Sequence, residues 1–187
     1  YGDKVYREAT ARAEEELAKQ VVRMLQSKTY LKKGGLSMDL TALEGRLNLS
    51  LNEEQREAVL TALTSSITVI TGGPGTGKTM TQKALLRLYY EKHPSGQVVC
   101  CAPTGRAARR MEEATGVPAT TIHKALGLMA GDDGNYNDPE ILDADLVLVD
   151  EASMMDIYLA RHLFASLPDQ SQLVIVGDAD QLPSVGP

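Results

Sequence analysis

In "REATARAEEELAKQVVRMLQS" apolar residues fall at 9, 13, 17, 21, 24 and 25, the three-to-four spacing of one helix face. The spacing predicts an amphipathic helix over roughly residues 7–27. "KKGG" at 32–35 interrupts it, and "DLTALEGRL" predicts a shorter helix ending before Asn48. From Leu49 the rhythm changes. "SLNEEQREAVLTAL" offers Asn52 as an N-cap with Gln55 three positions on, the spacing of a capping box. The β-branched "SITVIT" then predicts a short strand, followed by a glycine loop, a helix near 77–92 and the apolar strand "QVVCCA". A basic helix, "TGRAARRMEEAT", the segment "TTIHKALGLM" and the polar loop "GDDGNYNDPE" come next. "ADLVLVD" and "SQLVIVGD" predict two more strands, with a helix near 156–166 between them. Apolar strands alternating with helices predict an α/β fold, a parallel sheet with helices on both faces. Residues 1–48 carry no chemical motif and read as a small helical segment, the end of a preceding domain; the α/β domain runs over 49–187.

Composition narrows this reading a little. Of 187 residues, 43% are hydrophobic and 24% charged, ordinary values for a globular chain. No apolar run approaches the ~20 residues that span a bilayer. The start, "YGDKVYREAT", has neither a signal-peptide pattern nor an initiator Met, and points to an excised segment. The only cysteines, Cys100 and Cys101, are adjacent. They cannot build a disulfide framework and are expected as buried strand-end residues in a reducing cytosol.

Charge is more informative in its distribution than in its sum. The net charge of −6 argues against a simple basic nucleic-acid binder. Residues 1–110 carry 17 Lys and Arg against 11 Asp and Glu, whereas residues 111–187 carry 2 against 14. A polyanion is therefore expected on the first part of the chain.

Residues 71–79 read "TGGPGTGKT", which contains Gly72-x-x-x-x-Gly77-Lys78-Thr79, the phosphate-binding loop pattern, between a predicted strand and helix. Gly73, Pro74, Gly75, Thr76 and Gly77 form a loop whose backbone N–H groups can converge on an anion, and the following helix adds its partial positive charge. Lys78 is placed to reach the β- and γ-phosphates of a nucleotide, and Thr79 to ligate Mg²⁺. "LVLVDEAS" carries Asp150 and Glu151 to the end of a strand, where ligands bind in open α/β sheets. Asp150 is the candidate to hold the metal and Glu151 to orient and deprotonate water. In "VIVGDADQLPSVGP", Gln181 lies just past another strand end, within possible reach of the γ-phosphate.

Six stretches, "LNEEQREAV", "TGGPGTGKT", "APTGRAARRM", "TIHKAL", "LVDEASM" and "VGDADQLPSVGP", together resemble superfamily 1 DNA helicases, most closely the RecD-like branch. The resemblance covers roughly residues 49–187. It implies a P-loop NTPase with a RecA-like sheet that binds Mg²⁺ and ATP and moves along single-stranded DNA in repair or recombination, within the cytoplasm. It also implies residue roles. Gln55 falls where the family reads adenine, and Gln181 where it links the γ-phosphate to domain movement. Thr104 and Arg106 fall on one DNA-contacting motif, Thr121 and His123 on another.

The resemblance stops at Pro187, before the second RecA-like domain and the arginines that domain contributes. Such an arginine is worth about 10³–10⁵ in rate, so residues 1–187 alone are expected to bind nucleotide yet hydrolyse it poorly. That domain, single-stranded DNA and repair-complex subunits are the expected partners, and no membrane is. A P-loop ATPase that remodels RNA or protein remains the alternative, as does a nucleotide-binding module without turnover.

Overall fold

A computed structural model describes residues 7–27, 34–129 and 136–178. Its centre is a sheet of five parallel strands: β1 (Ile67–Thr71), β2 (Val98–Ala102), β3 (Ala119–Thr121), β4 (Leu146–Val149) and β5 (Gln172–Gly177), in the spatial order β1-β5-β4-β2-β3. All four residues of β4 are buried, as expected of a central strand covered on both faces.

Seven α-helices complete the described residues: α1 (Glu8–Leu25), α2 (Leu36–Leu47), α3 (Glu53–Thr64), α4 (Lys78–Lys92), α5 (Gly105–Thr115), α6 (Ile122–Ala125) and α7 (Ile157–Ala165). Several starts are written locally. The capping box of α3 is complete, with the Gln55 N–H on Asn52 Oδ1 at 2.8 Å and the Asn52 N–H on Gln55 Oε1 at 2.9 Å. Thr104, Thr121 and Asp156 cap α5, α6 and α7 through side-chain oxygens. None of the described helices is long and apolar enough to cross a membrane.

Two cores flank the sheet. One gathers Leu63 of α3, Leu85 and Leu88 of α4 and Leu148 of β4; the other gathers Ile122 of α6, Leu159 and Leu163 of α7 and Val147 of β4. Packing draws no boundary at residue 48. Leu36, Leu40 and Leu43 of α2 belong to the first core, and Met24 of α1 to the second. Each buried leucine contributes about 1.5–3 kcal/mol, so α2 is part of what stabilises the sheet. Ion pairs reinforce it: Lys92 with Asp39 at 2.5 Å, Arg46 with Glu91 at 2.7 Å, and Arg56 with Glu44. Helix α1 runs parallel to α7, joined by Thr10 to Tyr158 at 3.0 Å, Arg161 to Glu16 at 3.2 Å and Arg23 to the Leu167 carbonyl at 2.8 Å.

Cys100 and Cys101 sit in β2 as expected, both free and buried. Burial pushes both thiols up to about 12 from an ordinary 9.0. The native state therefore holds protons on sulfur that the unfolded chain releases above pH ~9. Stability from this source is intact below pH ~9 and falls as pH rises towards about 12. The folded protein is expected to resist iodoacetamide at pH 8 while the urea-unfolded chain reacts at both thiols, and to melt lower at pH 10 than at pH 8. Mass spectrometry and melting curves check both.

Candidate nucleotide-binding site

Parallel pairing brings every strand's carboxyl end to one edge. Thr71 pairs with Gly177, Val149 with Ile175, Cys101 with Val149 and Ala102 with Thr121. The loop after β1, the Gly177–Asp178 end of β5, the Asp150–Glu151 pair after β4, and the caps Thr104 and Thr121 consequently share that edge. With β5 between them, β1 and β4 lie roughly 10 Å apart, two strand spacings.

The loop after β1 is held by its own residues. The Thr76 hydroxyl donates to the Gly73 carbonyl at 2.9 Å, and the Lys78 ammonium to the carbonyls of Gly73, at 3.0 Å, and Gly72. Gly77 stands at φ 80° immediately before α4, and a β-carbon there would collide with the Gln55 amide nitrogen. That amide donates to the Thr76 carbonyl at 2.9 Å. Both ends of the Gln55 amide are thus engaged, one in the capping box and one on the loop. Beyond these two bonds the amide keeps one lone pair and one N–H, the groups that the adenine contact implied by the resemblance would use. Pro74, Gly75, Thr76 and Thr79 are exposed, and Gly73, Gly77 and Lys78 partly so. Next to the loop, α3 and β1 enclose a cavity of about 520 Å³ that Gln55, Gly72, Thr76 and Lys78 line.

The acidic pair has a different construction. The Asp150 N–H donates to the Cys101 carbonyl at 3.0 Å, extending the pairing of β4, and Asp150 Oδ1 accepts the Glu151 N–H at 2.9 Å. Glu151 has φ 53°, a left-handed conformation rarely taken by a residue with a side chain and concentrated at functional sites. A single 3₁₀ turn, Ala152–Met154, follows. The turn packs against the end of β5: a β-carbon on Gly177 would lie 3.4 Å from the Ser153 backbone nitrogen, in van der Waals contact. Gln181 lies outside the described residues.

The residues present fit a magnesium nucleotide. They offer an ammonium at Lys78, the N-terminus of a 15-residue helix, the hydroxyl of Thr79 and, after β4 at the same sheet edge, the carboxylate of Asp150. Mg²⁺ uses one or two protein oxygens of this kind when phosphates complete its shell.

The DNA candidates form a second group on the same edge. Thr104 follows β2 and Thr121 ends the neighbouring β3, and both hydroxyls accept helix N–H bonds, from Ala107 and Lys124, each at 3.2 Å. Arg106 is exposed on the first turn of α5, while Arg109 pairs with Glu113 at 3.1 Å. A groove of about 720 Å³ between α5 and β3 has Arg109, Thr121 and Lys124 among its walls. His123 is half-buried against Tyr136, ring centres 5.2 Å apart. Two features escaped the sequence: the Gln55 tie to Thr76, and the ring side chains Tyr136, Tyr158 and His162 that share a cavity with His123. With His123 they come from three separate stretches, and only Tyr158 and His162, four apart on α7, share a helical spacing.

The phosphate loop after β1, the carboxylates after β4 and the order β1-β5-β4-β2-β3 define a P-loop nucleotide-binding domain of RecA-like type. Residues 55–187 match the AAA_19 model, an AAA domain, and the chain belongs to that family. It is similar to the RecBCD enzyme subunit RecD of Mycolicibacterium smegmatis, 34% identical over 208 residues that cover 99% of this chain and 36% of that protein. It is also similar to the ATP-dependent RecD2 DNA helicase of Deinococcus radiodurans, 38% identical over 183 residues, 97% of this chain and 25% of the helicase. A crystal structure of Bacteroides sp Pif1 in complex with ADP-AlF4 superposes with a TM-score of 0.50 at 26% identity, over 73% of this chain and 34% of that one. The RecD-like resemblance read from the motifs holds. The chain spans about a quarter to just over a third of the length of these two curated relatives.

Proposed function

We propose that this chain is the first motor domain of an ATP-dependent DNA helicase of RecD-like type, acting in repair or recombination in the cytoplasm. One observation carries the reading. The phosphate loop, the Asp150–Glu151 pair and the caps Thr104 and Thr121 occupy one sheet edge, so nucleotide and polyanion are handled side by side.

In this reading the loop from Gly73 to Gly77 and the first N–H groups of α4 bind phosphate oxygens. Lys78 leaves the Gly72 and Gly73 carbonyls for the phosphates, exchanging neutral acceptors for charged ones. Thr79 and Asp150 hold the cation, and Glu151 takes the proton of the attacking water. Bound ATP with Mg²⁺ supplies the cleavable anhydride and the charge-neutralising cation. Thr104, Arg106, Thr121 and His123 contact a single strand of DNA. Gln181, together with a second RecA-like domain, conveys the state of the γ-phosphate, and repair-complex subunits are further partners. Residues 1–48 brace the motor domain.

The test is ATP hydrolysis by the full-length protein with and without a single-stranded oligonucleotide. Stimulation by DNA on the order of ten- to a hundredfold is expected, the scale on which closure positions catalytic groups. Stimulation by RNA or an unfolded protein, with none by DNA, would overturn the helicase reading in favour of a remodelling ATPase.

A further inference from the structure

A second cavity, of about 540 Å³, lies among the start of α1, α6 and the first turns of α7, apart from the phosphate loop. Four of its walls are rings: His123, Tyr136, Tyr158 and His162. The chain has only three histidines and seven tyrosines, so this is a concentration of ring faces without equal among the described pockets. His123 and Tyr136 stand with centres 5.2 Å apart and planes at 50°, and Tyr136 keeps 46% of its surface exposed. The Tyr158 hydroxyl is fixed by Thr10 at 3.0 Å.

The charged groups of the cavity are already matched. Arg161 pairs with Glu16 at 3.2 Å, and Asp156 accepts the Leu159 N–H at 2.7 Å at the head of α7. A phosphate entering here would compete with Glu16 for Arg161 and meet the carboxylate of Asp156. An uncharged planar group would meet ring faces and polar edges. His162 favours the same guest. Burial first, then the charge of Arg161, lower its pKa from the ordinary 6.5, so near neutral pH the ring is uncharged; its Nε2 accepts from the Arg161 guanidinium at 3.3 Å, which leaves the Nδ1–H as a donor to a guest. The volume suits one nucleotide-sized group.

Position narrows the guest further. His123 is two residues past Thr121, at the carboxyl edge of the sheet, and Asp156 is five residues past Glu151. The cavity therefore lies between the proposed strand track and the segment that follows the hydrolytic carboxylate.

We propose that this cavity takes one unpaired nucleobase of the single strand, stacked on Tyr136 and His123, with Tyr158 and His162 beside its edges. The proposal rests on the reading that this chain handles single-stranded DNA. It adds base stacking to phosphate contacts, which makes binding tighter without making it sequence-specific. Asp156, a wall of the cavity, caps α7 and follows the 3₁₀ turn that begins after Glu151.

The test compares an oligothymidylate with an abasic phosphodeoxyribose strand of equal length, on the full-length protein and its Tyr136→Ala and Tyr136→Phe variants. Tyr136→Ala is expected to weaken oligothymidylate binding about tenfold and to leave abasic-strand binding unchanged, while Tyr136→Phe keeps wild-type affinity for both. Because Tyr136 is half-exposed, both variants should fold, which melting curves establish. Equal loss on both strands, or no loss on either, would overturn the base pocket while the helicase reading stands. Failure of the wild type to bind any single strand would overturn the helicase reading, and the pocket with it.

Discussion

Replacing Lys78 with alanine is expected to cut ATP turnover by the full-length protein at least about a hundredfold, the scale of losing one preorganised charge donor at a reacting centre. Lys78 opens α4, and its ammonium already lies against the carbonyls of Gly72 and Gly73 at the head of the phosphate loop. A cation there adds to the positive end of the helix, where an incoming polyphosphate is best stabilised. Alanine keeps α4 helical, so the defect should be electrostatic. Loss of the carbonyl bonds should lower stability by only about 1–2 kcal/mol. Turnover and the affinity for a fluorescent Mg²⁺-nucleotide analogue measure the effect, with a melting curve as control. Near-normal turnover by a folded Lys78→Ala protein would show that this loop is not the catalytic phosphate site.

Much of this architecture is legible along the chain because its determinants are local. Helix α1 follows an apolar stripe, and the strands are short apolar runs between turn residues. Asn52 and Gln55 specify their capping box within four positions. Strand β3 is only three residues long, too short for any period to declare itself. The leucines of α2 announce a helix but not its partner, and only the folded chain shows them sharing a core with α3 and α4. Gln55 shows the limit most clearly. Its sequence neighbours explain one end of its amide, while the other end closes on Thr76, 21 residues away. Nor does a glutamate advertise the left-handed backbone of Glu151, which stands between the end of β4 and the 3₁₀ turn.

That backbone is why Glu151→Gln is expected to be the second large effect. The residue follows a fully buried strand, its N–H is held by Asp150, and a 3₁₀ turn packed against β5 fixes what comes after. Its carboxylate is thus presented by backbone strain that costs about 1–3 kcal/mol and is retained where surrounding structure holds it. Glutamine has nearly the same shape and keeps every backbone bond, but its amide cannot take a proton from water. Loss of a positioned base lowers the chemical step by about 10²–10⁴. Turnover should fall by that factor, while nucleotide and single-strand affinities stay close to wild type. Asp150→Asn should differ in kind: a weaker ligand for the cation shifts the Mg²⁺ dependence of nucleotide binding to higher concentration. A Glu151→Gln protein that binds nucleotide poorly but turns it over normally when saturated would reverse the assignment. Glu151 would then be a ligand-positioning residue, and the base would have to be sought elsewhere on the carboxyl edge.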